Sequence, residues 1–199
     1  WVDTVADLDP IVATYIGRFE HNHRFADYSP AGVAAGADAA RRALADLSVA
    51  EVTDAVDAVT KEDLSRTLEL ELELHDAQWP LRDLNVIASP AQDIRSVFDL
   101  MPTETIEDWS TVSTRMSALP EAVAGYTQTL REGLSQGVVP ARRQVAEVLG
   151  QIARYTADNG FFASFVAEAA PGDGHLPASL ARDLTDNANA ARVAYDRLA

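Results

Sequence analysis

Cysteine is absent from this 199-residue sequence, and lysine and histidine are scarce. Without cysteine the chain has no disulfide, no thiolate metal ligand and no cysteine nucleophile. No apolar run approaches the roughly 20 residues that a membrane-spanning helix requires. The residues after Trp1 have neither the basic nor the apolar region of a signal peptide. The sequence also lacks an initiator Met, so we expect the natural chain to begin earlier, with a cytoplasmic location as the default expectation.

Several local catalytic motifs are missing as well. The chain has four histidines and none is followed by Glu, which excludes the His-Glu-x-x-His arrangement of zinc peptidases. The Walker phosphate-binding loop and the glycine pattern of dinucleotide-binding proteins are also absent. We therefore predict no complete catalytic site in this chain.

The charge balance is strongly acidic. There are 31 Asp and Glu residues against 16 Lys and Arg residues, which gives a formal net charge of −15. Binding to phosphate backbones depends on Lys and Arg displacing counterions, so nucleic acids and anionic membranes are poor partners for such a chain. We predict neither kind of partner and interpret the charge as a solubility feature.

Helix start signals recur along the chain. Capping side chains or prolines mark starts at Asp9-Pro10, Ser29-Pro30, Ser89-Pro90, Thr105 with Asp108, Pro120 and Pro140. Gly17 and Gly137 supply helix stops. No pair of segments has the turn chemistry of a β-hairpin. The predicted fold is therefore all-α, a multi-helix array of roughly eight to ten helices without significant sheet.

The segment Leu68–Leu74 alternates Leu with Glu, which is nominally a strand pattern. Leu and Glu are strong helix formers, and the segment has no β-branched residue. Leu64, Leu68 and Leu72 also form an i, i+4 row, so we predict a helix. Because the leucines cover about half of its surface, we expect Leu64–Leu74 to be largely buried between layers.

Two groups of polar residues are candidates for chemistry. Glu71 and His75 lie four residues apart on the predicted helix and are a possible acid–base couple, or a hydrogen bond that satisfies two polar groups between layers. His21-Asn22-His23, with Asp27 nearby, invites a metal-site interpretation. A loop with solvated or hydrogen-bonded histidines accounts for the same residues, and we favour that reading.

Adjacent arginines occur at Arg41-Arg42 and Arg142-Arg143. Arg binds carboxylates with two parallel hydrogen bonds, so these pairs are candidates for binding a peptide or another acidic substrate. Neutralising the chain's own surplus of carboxylates is the favoured alternative. Glu71, His75, Arg142 and Arg143 are thus the candidate polar-site residues, and no residue is predicted to be catalytic or to bind a metal.

Four segments, in order along the chain, carry a family resemblance. They are Asp27-Tyr-Ser-Pro30, Leu81-Arg-Asp-Leu-Asn85, Phe98-Asp-Leu-Met-Pro102 and Pro140-Ala-Arg-Arg-Gln-Val145. Together they resemble the amino-terminal portion of the bacterial family called domain of unknown function 885. The similarity extends over essentially the whole chain.

The resemblance implies a large helical protein similar to zinc-dependent peptidases, with a His-Glu-Gly-x-Pro-Gly-His-His-type signature in its second half. No residue here matches that signature, so zinc is implied only for the portion that carries it. We expect a helical domain over residues 1–170. We expect residues 171–199 to form a turn and a terminal helix that continues into a catalytic half.

The leading hypothesis is a non-catalytic amino-terminal helical domain of a metal-dependent, peptidase-like hydrolase that forms a cleft wall and scaffold. Its expected partners are the chain's own carboxy-terminal half or another copy, and a peptide substrate. A stand-alone helical protein-interaction module is the alternative from a different class. A small enzyme that uses Glu71 and His75 ranks last.

Overall fold

The computed structural model describes residues 1–172 and 174–199, which are 74% helical and contain no strand. The α-helices are α1 (Val2–Leu8), α2 (Pro10–Tyr15), α3 (Pro30–Val49), α4 (Ala55–Asp76), α5 (Pro90–Ser96), α6 (Ile106–Gln136), α7 (Arg142–Thr156), α8 (Phe161–Ala167) and α9 (Ala178–Leu198). Short 3-10 helices cover Phe19–His21, Trp79–Arg82 and Val97–Asp99. The all-α prediction is confirmed, and the helices described agree with the predicted range.

Capping chemistry accounts for most helix starts. The Asp9 carboxylate accepts hydrogen bonds from the Ile11 and Val12 amides at the start of α2. Thr105 and Asp108 form the predicted capping box of α6, and Gly137 ends that helix with φ 74°. Two expectations need adjustment. Helix α1 has no capping side chain or proline at its start, so the sequence did not predict it. Helix α7 begins at Arg142, two residues after the predicted start at Pro140.

The prediction that Pro120 begins a new helix is wrong. Pro120 lies inside α6, which continues for 31 residues. A proline in a helix interior removes one hydrogen bond and costs roughly 3 kcal/mol. The buried residues Met116, Leu119, Val123 and Tyr126 form one continuous face on both sides of Pro120. Burial of that face offsets the local cost, because each large apolar side chain contributes about 1.5–3 kcal/mol.

Helix α6 is the centre of the hydrophobic core. Helix α9 packs along it and also contacts α7 and α8. Phe98, Phe161, Phe165 and Trp109 form an aromatic cluster with ring centroids 5.1–6.4 Å apart. Phe161 and Phe165 are partly buried, whereas the fully buried side chains of this core include Ile94, Val112, Leu119, Phe162, Leu184 and Tyr195. The large apolar side chains that are buried therefore lie, apart from Leu68, in one core around this helix.

Helix α4 is a helix as predicted, but it is not largely buried. Leu68 is its only buried residue, whereas the side chains of Leu70 and Leu74 are 54% and 40% exposed. The helix packs mainly against α3, with a smaller contact to the 3-10 helix Trp79–Arg82. A single covering helix protects a narrow stripe of α4, which explains why Leu64 and Leu72 are only partly buried and why Leu70 and Leu74 stay in water.

The turn predicted at residues 171–177 contains Asp173, which lies outside the described residues. After this turn, α9 buries Leu184 and Tyr195, and the Tyr195 hydroxyl donates to the Ala91 carbonyl at 3.0 Å. The terminal helix therefore shares its core with residues from the expected 1–170 domain. The division at residue 170 stays a prediction. Among the described residues, no helix combines the length and apolar character needed to span a membrane.

Candidate polar site beside α6

The segment that links α4 to α5 has its own network of hydrogen bonds. The Asn85 Oδ1 atom accepts from the Ile87 and Ala88 amides, each at 2.9 Å. Ser89 and Gln92 form a capping box at the start of α5. The Gln92 side chain also donates to the Asn85 carbonyl at 2.9 Å. These bonds fix an irregular segment that would otherwise leave backbone groups without partners.

Helix α7 holds the same segment from the other side. The Gln144 Oε1 atom accepts from the Val86 amide at 3.0 Å, and the Gln151 amide group donates to the Val86 carbonyl at 2.9 Å. Gln92 donates to Gln151 at 2.6 Å. Two glutamines of α7 thus satisfy both backbone groups of Val86 and connect the segment to α5.

Helix α6 fixes two segments that pack against it, residues 27–30 and residues 81–85. The Tyr126 hydroxyl donates to the Asp83 carbonyl at 2.6 Å, and the Thr129 hydroxyl donates to the Tyr28 carbonyl at 2.6 Å. At Gly133 an added Cβ would lie 2.3 Å from the Leu81 carbonyl oxygen, so only glycine permits this approach of the backbones. Residues 27–30 and 81–85 are therefore held at defined positions along α6.

We define the polar site by Asp83, Asp93, Tyr28 and Tyr126. Asp83 and Asp93 are half-buried, and desolvation raises the pKa of both carboxyl groups. The charges of Asp9 and Asp83 raise the pKa of Asp93 further. Burial raises the pKa of both phenols, and neighbouring carboxylates add to the effect. Carboxylate charges therefore contribute to the raised pKa of Asp93, Tyr28 and Tyr126, whereas burial alone raises that of Asp83.

Neither Asp83 nor Asp93 forms an ion pair with any described residue. Asp83 has one weak side-chain contact, with the Asn85 amide at 3.5 Å. Half-buried carboxylates without a cation retain free acceptor positions. Asp83 also lines a shallow pocket, and a desolvated carboxylate beside a concave surface is typical of functional sites. The arrangement is suited to accept N–H groups from a bound molecule.

A buried cation lies on the amino-terminal side of this site. Arg115 on α6 is completely buried, and its Nη1 atom donates to the Thr14 hydroxyl at 2.8 Å. The same atom lies 3.4 Å from the Asn22 Oδ1 atom, and the guanidinium stands 5.1 Å from the Phe25 ring centroid. Desolvation lowers the pKa of Arg115 to about 10, partly opposed by Tyr28 and Asp9.

The Nε and Nη2 atoms of Arg115 have no hydrogen-bond partner among the described residues. No carboxylate of the described chain lies within ion-pair distance of this group. Arg115 therefore connects α6 to Thr14 and Asn22 at a desolvation cost that only part of its hydrogen-bonding capacity offsets.

The candidates Glu71 and His75 lie on α4, away from the polar site. No hydrogen bond or ion pair joins them in the described structure. Glu71 is exposed by surface area, yet neighbouring side chains desolvate its carboxylate enough to raise its pKa. The two residues share a helix face as predicted. No other described side chain forms a hydrogen bond or an ion pair with the side chain of either residue.

The histidines near residue 21 do not converge on a metal site. His21 lies 2.9 Å from an Arg24 nitrogen and 3.7 Å from the Asp7 carboxylate, and His23 contacts the Glu20 carbonyl at 3.1 Å. Asp27 instead accepts from the Ser29 amide at 2.9 Å. Within residues 1–172 and 174–199, no three His, Asp or Glu side chains are grouped in a way that could hold a metal ion.

The two arginine pairs have different surroundings. Arg41 pairs with Asp38 at 2.8 Å and lies 3.7 Å from Asp76, in line with neutralisation of the chain's own carboxylates. Arg142 and Arg143 are exposed in the first turn of α7 and form no ion pair with a described residue. The structure places them beside Gln144, the residue that holds Val86, but gives them no contact with Asp83 or Asp93.

The carboxy-terminal end of α6 carries a sequence pattern that resembles a catalytic motif. Residues 133–137 read Gly-Leu-Ser-Gln-Gly, which fits the Gly-x-Ser-x-Gly pattern of nucleophile elbows. That motif requires a strand, a sharp turn and a helix, whereas these residues close the carboxy-terminal end of α6. The Ser135 hydroxyl donates to the Glu132 carbonyl at 2.7 Å. The pattern is therefore a helix end and does not form a nucleophile elbow.

The fold and the site define an all-α protein in which one long helix helps to position two half-buried carboxylates and two largely buried phenols. The chain belongs to a bacterial family of unknown function, DUF885, whose model matches residues 10–199. Comparison with curated proteins gives no match. The family assignment confirms the resemblance found in the sequence, and the family description itself carries no activity.

Three of the four resemblance segments meet at this site. Residues 27–30 and 81–85 contact α6, and Pro140 and Gln144 line a shallow pocket together with Asp83 and Asn85. Residues 98–102 instead contribute Phe98 and Met101 to the core. Asp83 lies in the segment 81–85 of the family resemblance, but the sequence did not identify it as a candidate site residue. Asp93 lies four residues after the Ser89 cap. The sequence indicated only that it belongs to a helix, not that it belongs to a site.

Proposed function

We propose that this chain is the non-catalytic helical wall of a metal-dependent, peptidase-like hydrolase, and that the polar site contacts the peptide. The observation that carries the proposal is the pair of half-buried carboxylates, Asp83 and Asp93, which lack a cation and sit on a fixed backbone. The comparison with peptidases comes from the resemblance described above.

A cleft wall must present polar groups that do not rearrange when a peptide arrives. The polar site meets this requirement, because Tyr126 fixes the backbone of Asp83 and Ser89 caps the helix that carries Asp93. The carboxylates would accept hydrogen bonds from peptide N–H groups or from a terminal ammonium group. Such charge-assisted bonds are roughly twice as strong as neutral ones.

Zinc is assigned no role in this chain. A zinc site needs three or four protein ligands at about 2.0–2.3 Å. The described His, Asp and Glu residues form no such group. This portion of the chain therefore does not fit a zinc site, and we derive no hydrolytic step from it.

The test is a titration of the isotopically labelled chain with short peptides, followed by amide NMR. We expect chemical-shift changes around Asp83, Asn85 and Asp93 that disappear in the D83N/D93N variant. The matched control is E69Q/E71Q, which removes the same number of charges from α4 and should leave the shifts unchanged. Metal analysis after dialysis and a peptidase assay with added Zn²⁺ complete the experiment.

Shift changes that persist in D83N/D93N, or that vanish equally in both variants, would remove the polar site from the proposal. One tightly held zinc per chain, or peptide hydrolysis, would contradict the non-catalytic assignment. A second candidate function, a helical interaction module, is favoured by a separate feature, the groove between α6 and α9.

A further inference from the structure

A groove of about 670 Å³ lies between α6 and α9, on a face that the polar site does not use. Val123 and Ala194 form its buried floor, and Val193, 48% exposed, forms part of its rim. The groove extends from Pro120 to Arg131 along α6, which is a length of about 16 Å at 1.5 Å per residue. That length matches about three turns of a helix.

The two helices run in the same direction along the groove. Asn187 donates to Ser113 at 3.0–3.1 Å, which places these residues side by side before the groove begins. The lining residues of both helices then have higher numbers, up to Arg131 on α6 and Arg197 on α9. Both arginines therefore lie on the side of the groove that faces the carboxy-terminal ends of the helices. The Ser113–Asn187 pair puts Arg197 level with Val123, so Arg131 lies about 12 Å further along α6, a span that two long arginine side chains lining the same groove can share.

The charge of the groove is opposite to the charge of the molecule. The chain carries −15 overall, yet Arg131 and Arg197 are the charged residues that line this groove, and no acidic residue accompanies them. Neither arginine forms an ion pair with a described residue. Carboxylates from outside the described structure would complement this end.

We propose that the groove docks an amphipathic helix of a partner protein whose first turn carries Asp or Glu. Its apolar face would cover Val123 and Val193, as amphipathic helices do in apolar grooves. Its acidic first turn would meet Arg131 and Arg197, so it runs antiparallel to α6 and α9. This direction also places the positive end of its dipole near the negative carboxy-terminal end of α9, which ends at Leu198 directly after Arg197. The inference is independent of the polar site.

The probe is a synthetic helical peptide of about 15 residues, long enough to be partly helical alone. It carries leucines at i, i+4 and i+7 and Asp-Glu in its first turn. A control peptide has Asn-Gln at those two positions. Binding is measured by isothermal titration calorimetry with the full chain, its R131A/R197A variant and its R66A/R154A variant. The last variant loses the same charge from exposed arginines outside the groove.

We expect the acidic peptide to bind about tenfold or more tightly than the amide control, and R131A/R197A to remove that preference. R66A/R154A should change the affinity by less than about twofold. V193D, at an exposed rim position, should weaken both peptides without unfolding the chain. Equal effects of the two arginine variants would overturn the proposal, as would no binding or no preference for the acidic peptide. A dimer in sedimentation that R131A/R197A dissociates would also overturn it, because the occupant would then be a second copy.

Discussion

The helices around α6 and the α3–α4 hairpin are both amphipathic, but they bury very different amounts of side chain. Around α6, large side chains such as Phe98, Phe162 and Tyr195 are at most 1% exposed. In the hairpin, α3 buries Ala37, Ala39 and Ala40, and α4 buries Leu68. The first region is covered by several helices, whereas the two hairpin helices mainly cover each other.

This difference indicates where stability and function reside. Burial contributes roughly 25 cal/mol per Å² of apolar surface, so the α6 region should supply most of the folding free energy. Both proposed surfaces, the polar site and the α6–α9 groove, are built on that region. Glu71 and His75, which the sequence offered as candidate polar-site residues, lie on the hairpin. The account therefore predicts large effects around α6 and small effects in α4.

The largest effect should come from Phe162 in α8. Its ring is completely buried and packs 5.6 Å from the Tyr195 ring centroid. F162A would leave a cavity and should lower the free energy of unfolding by about 3–5 kcal/mol. Urea denaturation followed by circular dichroism measures this value. A loss below about 1 kcal/mol would mean that the α6 region is not the main core.

Two substitutions in the buried Arg115 cluster should change the free energy of unfolding by intermediate amounts and in different directions. N22A removes an acceptor from Thr14 and Arg115, so it should destabilise the chain by about 1–3 kcal/mol. R115M removes a buried cation that has no carboxylate partner, so it should be neutral or stabilising by up to about 2 kcal/mol. Denaturation of both variants gives the comparison. If R115M costs more than N22A, the guanidinium has a stabilising partner that this account omits.

The polar site should show a smaller effect that depends on pH. The folded-state pKa of Asp93 is raised, so its ionisation costs stability as the pH rises from the unfolded value of 3.8 through the folded value. D93N removes that cost and should raise the free energy of unfolding at pH 7, by about 1 kcal/mol or less because the group keeps some exposure. The advantage should disappear below pH 3.8. Thermal melts at both pH values test the sign, and a variant less stable at pH 7 would contradict it.

The smallest effect should come from α4. L70S replaces a side chain that is already 54% exposed, so we expect a change within about 0.5 kcal/mol. The same denaturation measurement applies. A loss above about 2 kcal/mol would indicate that Leu70 is buried in solution, for example against another copy of the chain.

Helix positions were predictable because caps are local. Asp9, Ser29 and the Thr105–Asp108 box act within three residues of each helix start. The number of layers over a helix is not local, so the leucine row of α4 predicted a helix correctly and its burial incorrectly. The predicted helix start at Pro120 was wrong for a related reason, because the packing that keeps α6 continuous involves residues distant in sequence.

The candidate site was less predictable for the same physical reason. Asp83 depends on Tyr126, 43 residues away, and Val86 depends on Gln144 and Gln151, 58 and 65 residues away. None of these partners forms a spacing motif. The sequence supplied the family and three segments that meet at the site, but the contacts that make Asp83 and Asp93 a site appear only in the folded chain.

The most direct test of the account is amide hydrogen exchange of the intact chain, resolved by helix. The account predicts that α6 and α9 exchange slowest, through opening close to global unfolding. Residues Leu64–Leu74 of α4 should exchange at least about tenfold faster. Equal protection of Leu64–Leu74 and of α6 would contradict the central claim that the α6 region holds the stability and both proposed surfaces.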